Sequence, residues 1–489
     1  MVAEISLQTL HFHAGRSPGA ASENVDVGAV TVFVGPNNSG KSIALHDVWQ
    51  WANQGVDPPR PWPGGVVLSA VDAAFPENDV ELDEFLRPWT LPSVDGHLRR
   101  LRGMSLAQQA LPGLSSGTRT VRRYDGRGNF PEYCRNAVLP VLATHLDGRS
   151  RFDLATSRQM STLREAPGNH LMALLLDQQL YDRANKEIVD VFGHQLVIDT
   201  SQPPGLELAL STQSPPHGFW PERTFDPDVV AYQTSASRLL EFSDGVQIYT
   251  GLIAAIESWP QVVLLIDEPE AFLHPTLARR LGRRLARSAR ERRANLLAAT
   301  HSADFLLGCV DEVPATTIVR LTYDAGVATA RPLGGASVEK LVRDPLLRSA
   351  DALSALFARG AVVCEADADR AFYEEINRRL DAEVGRNGAS DTTFLNAQNW
   401  QTVPKIVGPL RRLGVAAAAV VDLDALTQRD KWGEYFEAAT TDAQERARLH
   451  RLRARAGDLL RAAGTLGTGT TLACKESGLD SVTDVNLPP

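Results

Sequence analysis

The sequence has few cysteines and no long apolar run. Only four of its 489 residues are cysteine (Cys134, Cys309, Cys364 and Cys474), and no two of them form a C-x-x-C pair. This scarcity argues against a disulfide framework or a zinc site and fits a reducing compartment. The longest apolar stretch, residues 415–421, is far shorter than the roughly 20 residues that a membrane helix needs. The N-terminus lacks the apolar core of a signal peptide, so we expect a cytoplasmic protein without a membrane segment.

Positive charge is also in the minority. The 59 acidic residues outnumber the 50 lysines and arginines, and the net charge of −9 argues against a protein that coats nucleic acid by bulk electrostatics. The densest basic run, residues 279–293, has leucine and alanine at helical spacing, and we interpret it as the solvated face of a helix. The length predicts two or three domains.

Five apolar segments have the length and composition of buried parallel strands. They are residues 29–34, 262–266, 296–299, 360–364 and 415–421. Polar or charged residues follow these segments, as in open α/β sheets, where ligands bind beyond the carboxyl ends of the strands. The sequence therefore predicts an α/β protein.

Proline-rich stretches indicate how the chain is divided. One lies at residues 58–65 and another at 202–227. We interpret residues 58–230 between them as a large insertion, partly helical and most clearly so at 170–192, that separates two halves of the first sheet. A further boundary is predicted near residues 340–358. The predicted domains are therefore 1–345 and 355–489.

A phosphate-binding loop follows the first predicted strand. Residues 35–42 satisfy G-x-x-x-x-G-K-[ST] between an apolar strand and a helical segment. Such a loop surrounds phosphate oxygens with backbone N–H groups, while Lys41 can reach the β- and γ-phosphates of ATP and Ser42 can bind Mg²⁺. The predicted nucleotide-binding residues of this loop are Gly35, Asn37, Asn38, Ser39, Gly40, Lys41 and Ser42.

Three later motifs complete the predicted ATP site. Asp267 and Glu268 end the strand at 262–266, where Asp267 can hold magnesium and Glu268 can polarise the attacking water as a general base. His301 follows the strand at 296–299 and can contact the γ-phosphate. Ser243 and Gly245 begin a helix ahead of the acid pair; Ser243 is either a helix N-cap or part of a second phosphate-binding helix terminus.

In this order, the phosphate loop, SDGVQ, LLIDEPEAFLHP and ATHS resemble the ABC-type ATPases of the SMC and recombination-repair class. In that family, two ATPase heads enclose two ATP molecules, and the SDG-containing helix of one head completes the site of the other. The resemblance implies a homodimer or higher homo-oligomer in which Ser243 and Gly245 act in trans, with Glu268 as catalytic base and Lys41 and His301 at the reacting phosphate.

A second group of acids lies in the last third of the chain. Glu365 and Asp369 follow the strand at 360–364, and Asp422 and Asp424 follow the strand at 415–421. If these strands are neighbours in a parallel sheet, four carboxylates converge and suit Mg²⁺ or Mn²⁺ for phosphodiester cleavage. The equally weighted alternative is that the acids are helix caps and surface charges.

This E-x-x-x-D and D-x-D pattern resembles a Toprim domain. A Toprim domain behind an ABC-type ATPase resembles the OLD (overcoming lysogenization defect) family of ATP-dependent nucleases, which are linked to bacterial antiphage defence. The resemblance covers residues 1–55, 230–310 and 355–425. It implies that Glu365, Asp369, Asp422 and Asp424 are metal ligands, that DNA is cleaved and that a defence-system protein is a partner.

Two alternative functions remain open from the sequence. In one, the ATPase is a switch whose Toprim half is degenerate and passes activity to a separate effector. In the other, the protein is an ABC-type repair factor in which residues 355–489 are only structural. Ala366 stands where the OLD family has glycine, and only 65 residues follow Asp424. Both features are compatible with the switch whose Toprim half is degenerate.

Overall fold

The structure of the protein is a computed structural model. It describes residues 4–16, 20–54, 67–87, 90–91, 98–101, 120–160, 167–216, 226–258, 261–324, 327–333, 344–345, 347, 351–384, 389, 391–427 and 432–464. The chain forms two compact units, residues 1–339 and residues 340–489. The division falls at the edge of the boundary that the sequence predicts near residues 340–358.

The strands of the first unit form several sheets, and helices connect many of the strands along the chain. Its strands are β1 (Ser6–Phe12), β2 (Glu23–Asp26), β3 (Val30–Val34), β4 (Leu68–Ala74), β5 (Thr90–Leu91), β6 (Leu98–Leu101), β7 (Thr120–Arg122), β8 (Ala143–Leu146), β9 (Arg158–Gln159), β10 (Gln195–Asp199), β11 (Gly205–Ser211), β12 (Ser237–Arg238), β13 (Val263–Asp267), β14 (Asn295–Ala299), β15 (Thr317–Asp324) and β16 (Val327–Leu333). Its α-helices are α1 (Lys41–Gln54), α2 (Asp79–Leu86), α3 (Phe130–Tyr133), α4 (Leu139–Leu142), α5 (Gly148–Asp153), α6 (His170–Leu176), α7 (Gln178–Phe192), α8 (Pro227–Ser235), α9 (Asp244–Ser258), α10 (Pro275–Arg292) and α11 (Ala303–Glu312). A π-helical turn, Cys134–Val138, joins α3 to α4.

A six-stranded sheet positions the site. Its strand order is β16-β15-β3-β14-β13-β8, and all neighbours are parallel except β15 and β16. Every residue of β3 and β14 is buried, as expected for apolar strands covered on both faces. The strands predicted at residues 29–34, 262–266 and 296–299 are confirmed as β3, β13 and β14. The carboxyl ends of these three adjacent strands therefore meet at one edge of the sheet.

The prediction that residues 58–230 lie as an insertion outside the first sheet is wrong in part. Strand β8, from the middle of that segment, pairs in parallel with β13 and forms an edge of the central sheet. Strand β4 pairs antiparallel with β1 in a separate sheet of order β2-β1-β4. The sequence of β8, ATHL, is only four residues long and contains two polar residues, so no apolar run marks it.

The helical stretch predicted at residues 170–192 consists of two helices. Helix α6 ends at Leu176 and α7 begins at Gln178. Between them Asp177 has an extended backbone (φ −134°, ψ 104°), and its side chain accepts hydrogen bonds from the backbone N–H groups of Gln179 and Leu180. An aspartate that caps a helix in this way competes with helix continuation, which explains the break.

Helix α10 contains the basic run. Its exposed arginines Arg283, Arg287 and Arg290 lie on the predicted solvated face and also form ion pairs. Arg279 and Arg283 share the carboxylate of Asp311 at 2.8 and 2.7 Å. Arg287 and Arg290 share Glu312 at 2.9 and 2.7 Å. Because these arginines are three or four residues apart, they lie on one face of α10 and tie it to α11, whose backbone it approaches closely.

The most buried of these acids is Glu257, at the end of α9, whose side chain is 1% exposed. It pairs with Arg183 of α7 at 3.1 Å, with Arg292 of α10 at 3.3 Å, and with Arg284 of α10. Arg292 also donates to the backbone carbonyl of Ile256 at 2.7 Å. One buried carboxylate therefore joins three helices through charge-assisted hydrogen bonds.

The second unit is a smaller α/β unit. Its strands are β17 (Gly360–Cys364), β18 (Thr392–Asn396) and β19 (Ala416–Val420), and its α-helices are α12 (Asp367–Val384), α13 (Val403–Arg412), α14 (Trp432–Ala439) and α15 (Ala443–Gly464). The strand order is β18-β17-β19, all parallel. The strands predicted at 360–364 and 415–421 are confirmed and are direct neighbours. Their carboxyl ends therefore lie side by side.

Three cysteines fall within the described residues, and none of them is in a disulfide. All three, Cys134, Cys309 and Cys364, are buried. Within the same described residues, no helix is both long and apolar enough to span a bilayer.

Candidate active site

The loop between β3 and α1 has the backbone of an anion-binding turn. Gly35, Asn38 and Gly40 have positive φ angles of 143°, 58° and 93°. At Gly35 a Cβ atom would lie 2.0 Å from the carbonyl oxygen of Leu321, so only glycine fits there. Left-handed residues among right-handed ones turn successive N–H groups toward a common centre, and the N-terminus of α1 adds its dipole. The loop can therefore hold phosphate.

Lys41 is the first residue of α1 and is 5% exposed. Its Nζ donates to the carbonyl oxygens of Gly35 at 2.9 Å and Pro36 at 2.7 Å, and to Oγ of Ser39 at 3.3 Å. Asn37, Asn38 and Ser42 are exposed on the same loop and helix start. The structure thus places a buried ammonium group inside the loop and leaves polar side chains at its rim.

Asp267 connects the phosphate loop to the acid pair. It ends β13, two strands away from β3 in the sheet, and its side chain lies beside the hydroxyl of Ser42. Burial raises the pKa of Asp267, against the opposing effects of that hydroxyl and of the positive charges of Arg151 and Lys41. Among the described residues, Oδ1 of Asp267 is buried and has no hydrogen-bond partner. A buried carboxylate oxygen beside a hydroxyl suits a small divalent cation.

Glu268 is held in an unusual backbone conformation. Its φ is 48°, its N–H donates to the carbonyl of Ala299 at 2.8 Å, and its carbonyl accepts from the N–H of Ala271 at 3.0 Å. Its side chain is 51% exposed, and Oε1 lies 3.7 Å from Nε2 of His301. The left-handed turn is energetically unfavourable for glutamate and recurs at functional sites. The structure therefore brings Glu268 and His301 together at the ends of β13 and β14.

Glu270 is a site residue that the sequence reasoning missed. Its Oε1 accepts from the backbone N–H of His301 at 2.8 Å, and its side chain lies beside Thr300. Burial raises the pKa of Glu270. Glu270 stands two residues after Glu268 in the sequence, but this spacing does not indicate that its side chain binds the backbone N–H of His301.

Arg151 is the second residue that was missed. It lies in α5, after β8, is 2% exposed, and is among the largest fully buried side chains. Its Nη1 donates to the carbonyl of Glu268, and its Nε to the carbonyl of Asp147 at 3.2 Å. Burial lowers the pKa of Arg151, while the carboxylates of Glu270, Asp267, Glu268 and Asp147 raise it. No sequence signal singles out one arginine in a segment whose strand was not recognised.

The SDG segment begins α9, as predicted. Ser243 is exposed just before the helix, and its carbonyl accepts from Gln247 N–H at 3.0 Å, which starts the helical ladder. A Cβ atom at Gly245 would lie 2.7 Å from the carbonyl of Phe272, in the loop that follows Glu268. Glycine is therefore required at this position for packing within one chain. A role of Ser243 and Gly245 in a second chain's site stays a prediction.

The second acidic group is only partly brought together. The backbone N–H of Asp422 donates to Oε2 of Glu365 at 3.1 Å, so the ends of β17 and β19 are in contact. Asp369 lies in the first turn of α12 and accepts from the N–H of Ala366 at 3.2 Å, which is the alternative helix-capping role. Among the described residues, no group of three or more histidines, cysteines or acids is arranged to hold a metal ion. The side chain of Asp424 lies outside the described residues, so the set of four ligands stays a prediction.

Comparison with protein families gives one match. Residues 200–308 match the family described as "AAA domain, putative AbiEii toxin, Type IV TA system". The matched segment contains the SDG motif, the acid pair and His301, and it begins after the phosphate loop. No curated protein matches.

Solved structures of ATPase heads and cassettes are similar to parts of the chain. One is the SMC head bound to the C-terminal winged-helix domain of ScpA (14% identity, TM-score 0.40, 68% of this chain and 99% of that chain). Another is the SMC head domain from Thermotoga maritima (14%, 0.35, 67% and 99%). A third is the ADP conformation of an ATP-binding cassette of an ABC transporter (14%, 0.27, 71% and 98%). The TM-scores of all three structures are low.

The family match and the site geometry concern the same segment of the chain. Residues 200–308, which are similar to an AAA domain, supply the acid pair and the histidine at strand ends that neighbour the strand before the phosphate loop. The resemblance to the OLD family and the Toprim assignment rest on sequence motifs and stay predictions.

Proposed function

We propose that the protein binds ATP with Mg²⁺ at the carboxyl edge of the central sheet and hydrolyses its β–γ phosphoanhydride bond. The observation that carries this proposal is the approach of the Ser42 hydroxyl to the side chain of Asp267, whose buried Oδ1 has no hydrogen-bond partner among the described residues. Ser42 ends the phosphate loop and Asp267 ends a different strand, more than two hundred residues later in the chain. These are the two residues that would hold the cation of a nucleotide bound in the loop.

Each of the other site residues has a role in this proposal. Backbone N–H groups of residues 35–42 bind the β-phosphate, and Lys41 exchanges its loop carbonyls for oxygens of the β- and γ-phosphates. Glu268 accepts a proton from the water whose oxygen attacks the γ-phosphorus; the bond to the β-bridging oxygen breaks, and ADP and phosphate leave. His301, which lies beside Glu268, donates to a γ-phosphate oxygen.

The residues present fit a magnesium ion. The unpartnered Oδ1 of Asp267 and the hydroxyl of Ser42 supply hard oxygen ligands, and a bound Mg²⁺ would neutralise charge on the β- and γ-phosphates. Ser243 and Gly245 would complete the site of a second copy, as the resemblance to SMC-type heads implies. A homodimer that closes on ATP is part of this proposal.

ATP hydrolysis by the wild-type protein and by Lys41→Ala tests the proposal. We expect Mg²⁺-dependent phosphate release by the wild type and a decrease of about 10²–10³-fold in Lys41→Ala, because a charged donor to the transferring phosphate is lost. Lys405→Ala, which removes an exposed lysine from α13, serves as the matched control. Equal turnover in Lys41→Ala and Lys405→Ala would contradict the site assignment.

A second candidate function is metal-dependent DNA cleavage at the ends of β17 and β19, in an OLD-like enzyme of antiphage defence. Its support is the contact between Glu365 and the backbone of Asp422 on neighbouring parallel strands. Glu365, Asp369, Asp422 and Asp424 would hold Mg²⁺ or Mn²⁺. The helix-capping bond of Asp369 favours instead the ATPase switch with a degenerate second unit.

Incubation of supercoiled plasmid with protein, ATP and Mg²⁺ or Mn²⁺ separates these two functions. A nuclease would nick the plasmid, and Asp422→Ala would abolish nicking while ATP turnover continues. Asp381→Ala, at an exposed acid of α12, is the matched control and should cleave normally. ATP turnover without nicking under either metal would reject the nuclease and favour the switch.

A further inference from the structure

We propose that Arg151 is a positioning residue of the hydrolysis reaction, which holds the backbone of Glu268 so that its carboxylate faces the attacking water. This inference rests on the proposed ATPase function. It assigns a role in that site to a residue that lies in none of the sequence motifs.

The contacts of Glu268 place Arg151 in this role. The backbone of Glu268 is left-handed, with φ 48°, and its N–H is already committed to Ala299 at 2.8 Å. Its carbonyl accepts two hydrogen bonds, from Ala271 at 3.0 Å and from Nη1 of Arg151. A charged donor on this carbonyl stabilises a turn that glutamate does not adopt readily, and the turn direction decides where the carboxylate points.

Arg151 is itself rigidly held. It lies on α5, whose first turn is closed by a reciprocal capping box between Asp147 and Ser150. Its Nε donates to the carbonyl of Asp147 at 3.2 Å, so the guanidinium is fastened at both ends. The next residue, Phe152, packs edge-to-face on Phe272 with ring centroids 5.4 Å apart. Helix α5 therefore contacts the loop after Glu268 at two points.

Charge explains why this residue is an arginine. The carboxylates of Glu270, Asp267, Glu268 and Asp147 all act on the guanidinium, which is 2% exposed. A cation among these acids lowers their mutual repulsion, most of all for Asp267 and Glu270, whose pKa values are raised by burial. A lysine supplies the charge, but it lacks the planar fork that reaches two carbonyl oxygens at once.

Kinetics of Arg151→Met and Arg151→Lys test the proposal in the full chain. We expect Arg151→Met to lower kcat by about 10- to 100-fold through misplacement of Glu268, with KM for ATP and affinity for a non-hydrolysable ATP analogue unchanged. Arg151→Lys should recover part of kcat. Arg158→Met is the matched control and should keep kcat; it removes a half-buried arginine of the same segment, whose Nη2 donates to the backbone carbonyl of Asp153.

A double-mutant cycle with Glu268→Gln separates positioning from a general loss of structure. If Arg151 acts through Glu268, then Arg151→Lys lowers turnover in the wild-type background and has no further effect in Glu268→Gln. Equal fold losses in both backgrounds, or a normal kcat in folded Arg151→Met, would overturn the proposal. Wild-type protein without ATP turnover would instead reject the ATPase function on which it rests.

Discussion

Replacing Glu268 with glutamine is expected to lower kcat for ATP hydrolysis by about 10²–10⁴-fold while ATP binding is retained. Glutamine keeps the size of glutamate and its place 3.7 Å from His301, but it cannot accept the proton of the attacking water. The backbone bonds that hold residue 268 in its left-handed turn do not involve the side chain and should survive. Steady-state phosphate release and equilibrium binding of ATP measure the two effects separately.

The matched control for this substitution is Glu132→Gln, at an exposed glutamate of α3, which should turn over ATP normally. Because Glu268→Gln is expected to bind ATP without cleaving it, it should also accumulate the ATP-bound homodimer in size-exclusion chromatography if two heads share the site. Retained hydrolysis by Glu268→Gln would reject Glu268 as the base. Slow hydrolysis in a protein that stays monomeric with ATP would reject the shared site only.

Replacing Glu257 with alanine is expected to lower the free energy of unfolding of the first unit by about 3–5 kcal/mol. The carboxylate is 1% exposed and pairs with Arg183, Arg284 and Arg292 from two other helices. Without it, Arg284 and Arg292, which are 12% and 22% exposed, keep their charges in a poorly hydrated place. Urea denaturation followed by circular dichroism measures the loss.

Asp311→Ala provides the comparison for Glu257→Ala. Asp311 also pairs with two arginines of α10, at 2.7 and 2.8 Å, but its side chain is 27% exposed and its partners Arg279 and Arg283 are 29% and 48% exposed. Water can replace these ion pairs, so a loss of about 1 kcal/mol or less is expected. Similar losses in both variants would show that burial does not govern the energetics of this arginine network.

Most of the candidate site could be predicted because its parts are local. The loop of residues 35–42 needs glycines at defined positions, and Asp267, Glu268 and His301 each follow a short apolar run typical of a buried strand. A period of two or a continuous apolar run is a property of neighbouring residues, so sequence is enough to recognise it. The convergence of these strand ends then follows from the general layout of parallel sheets.

Prediction from the sequence failed where the chain carries no local pattern of residue types. Strand β8 is four residues of mixed polarity, and its place beside β13 depends on pairing with a partner more than a hundred residues away. The helical stretch at 170–192 was predicted, but not its division at Asp177, where one side chain caps a new helix. In both cases the structure depends on an interaction that the hydrophobic periodicity of the sequence does not indicate.

The amino-acid sequence alone determined the phosphate loop, the acids and histidine at strand ends, and the α/β class, because these depend on residue type and short-range spacing. Only the tertiary structure decided that Ser42 meets Asp267, that Glu270 holds the histidine loop, and that Arg151 reaches the carbonyl of Glu268. Those contacts join segments far apart in the chain, and burial sets their strength. Which distant polar groups come into contact depends on how the folded chain packs, not on any one segment.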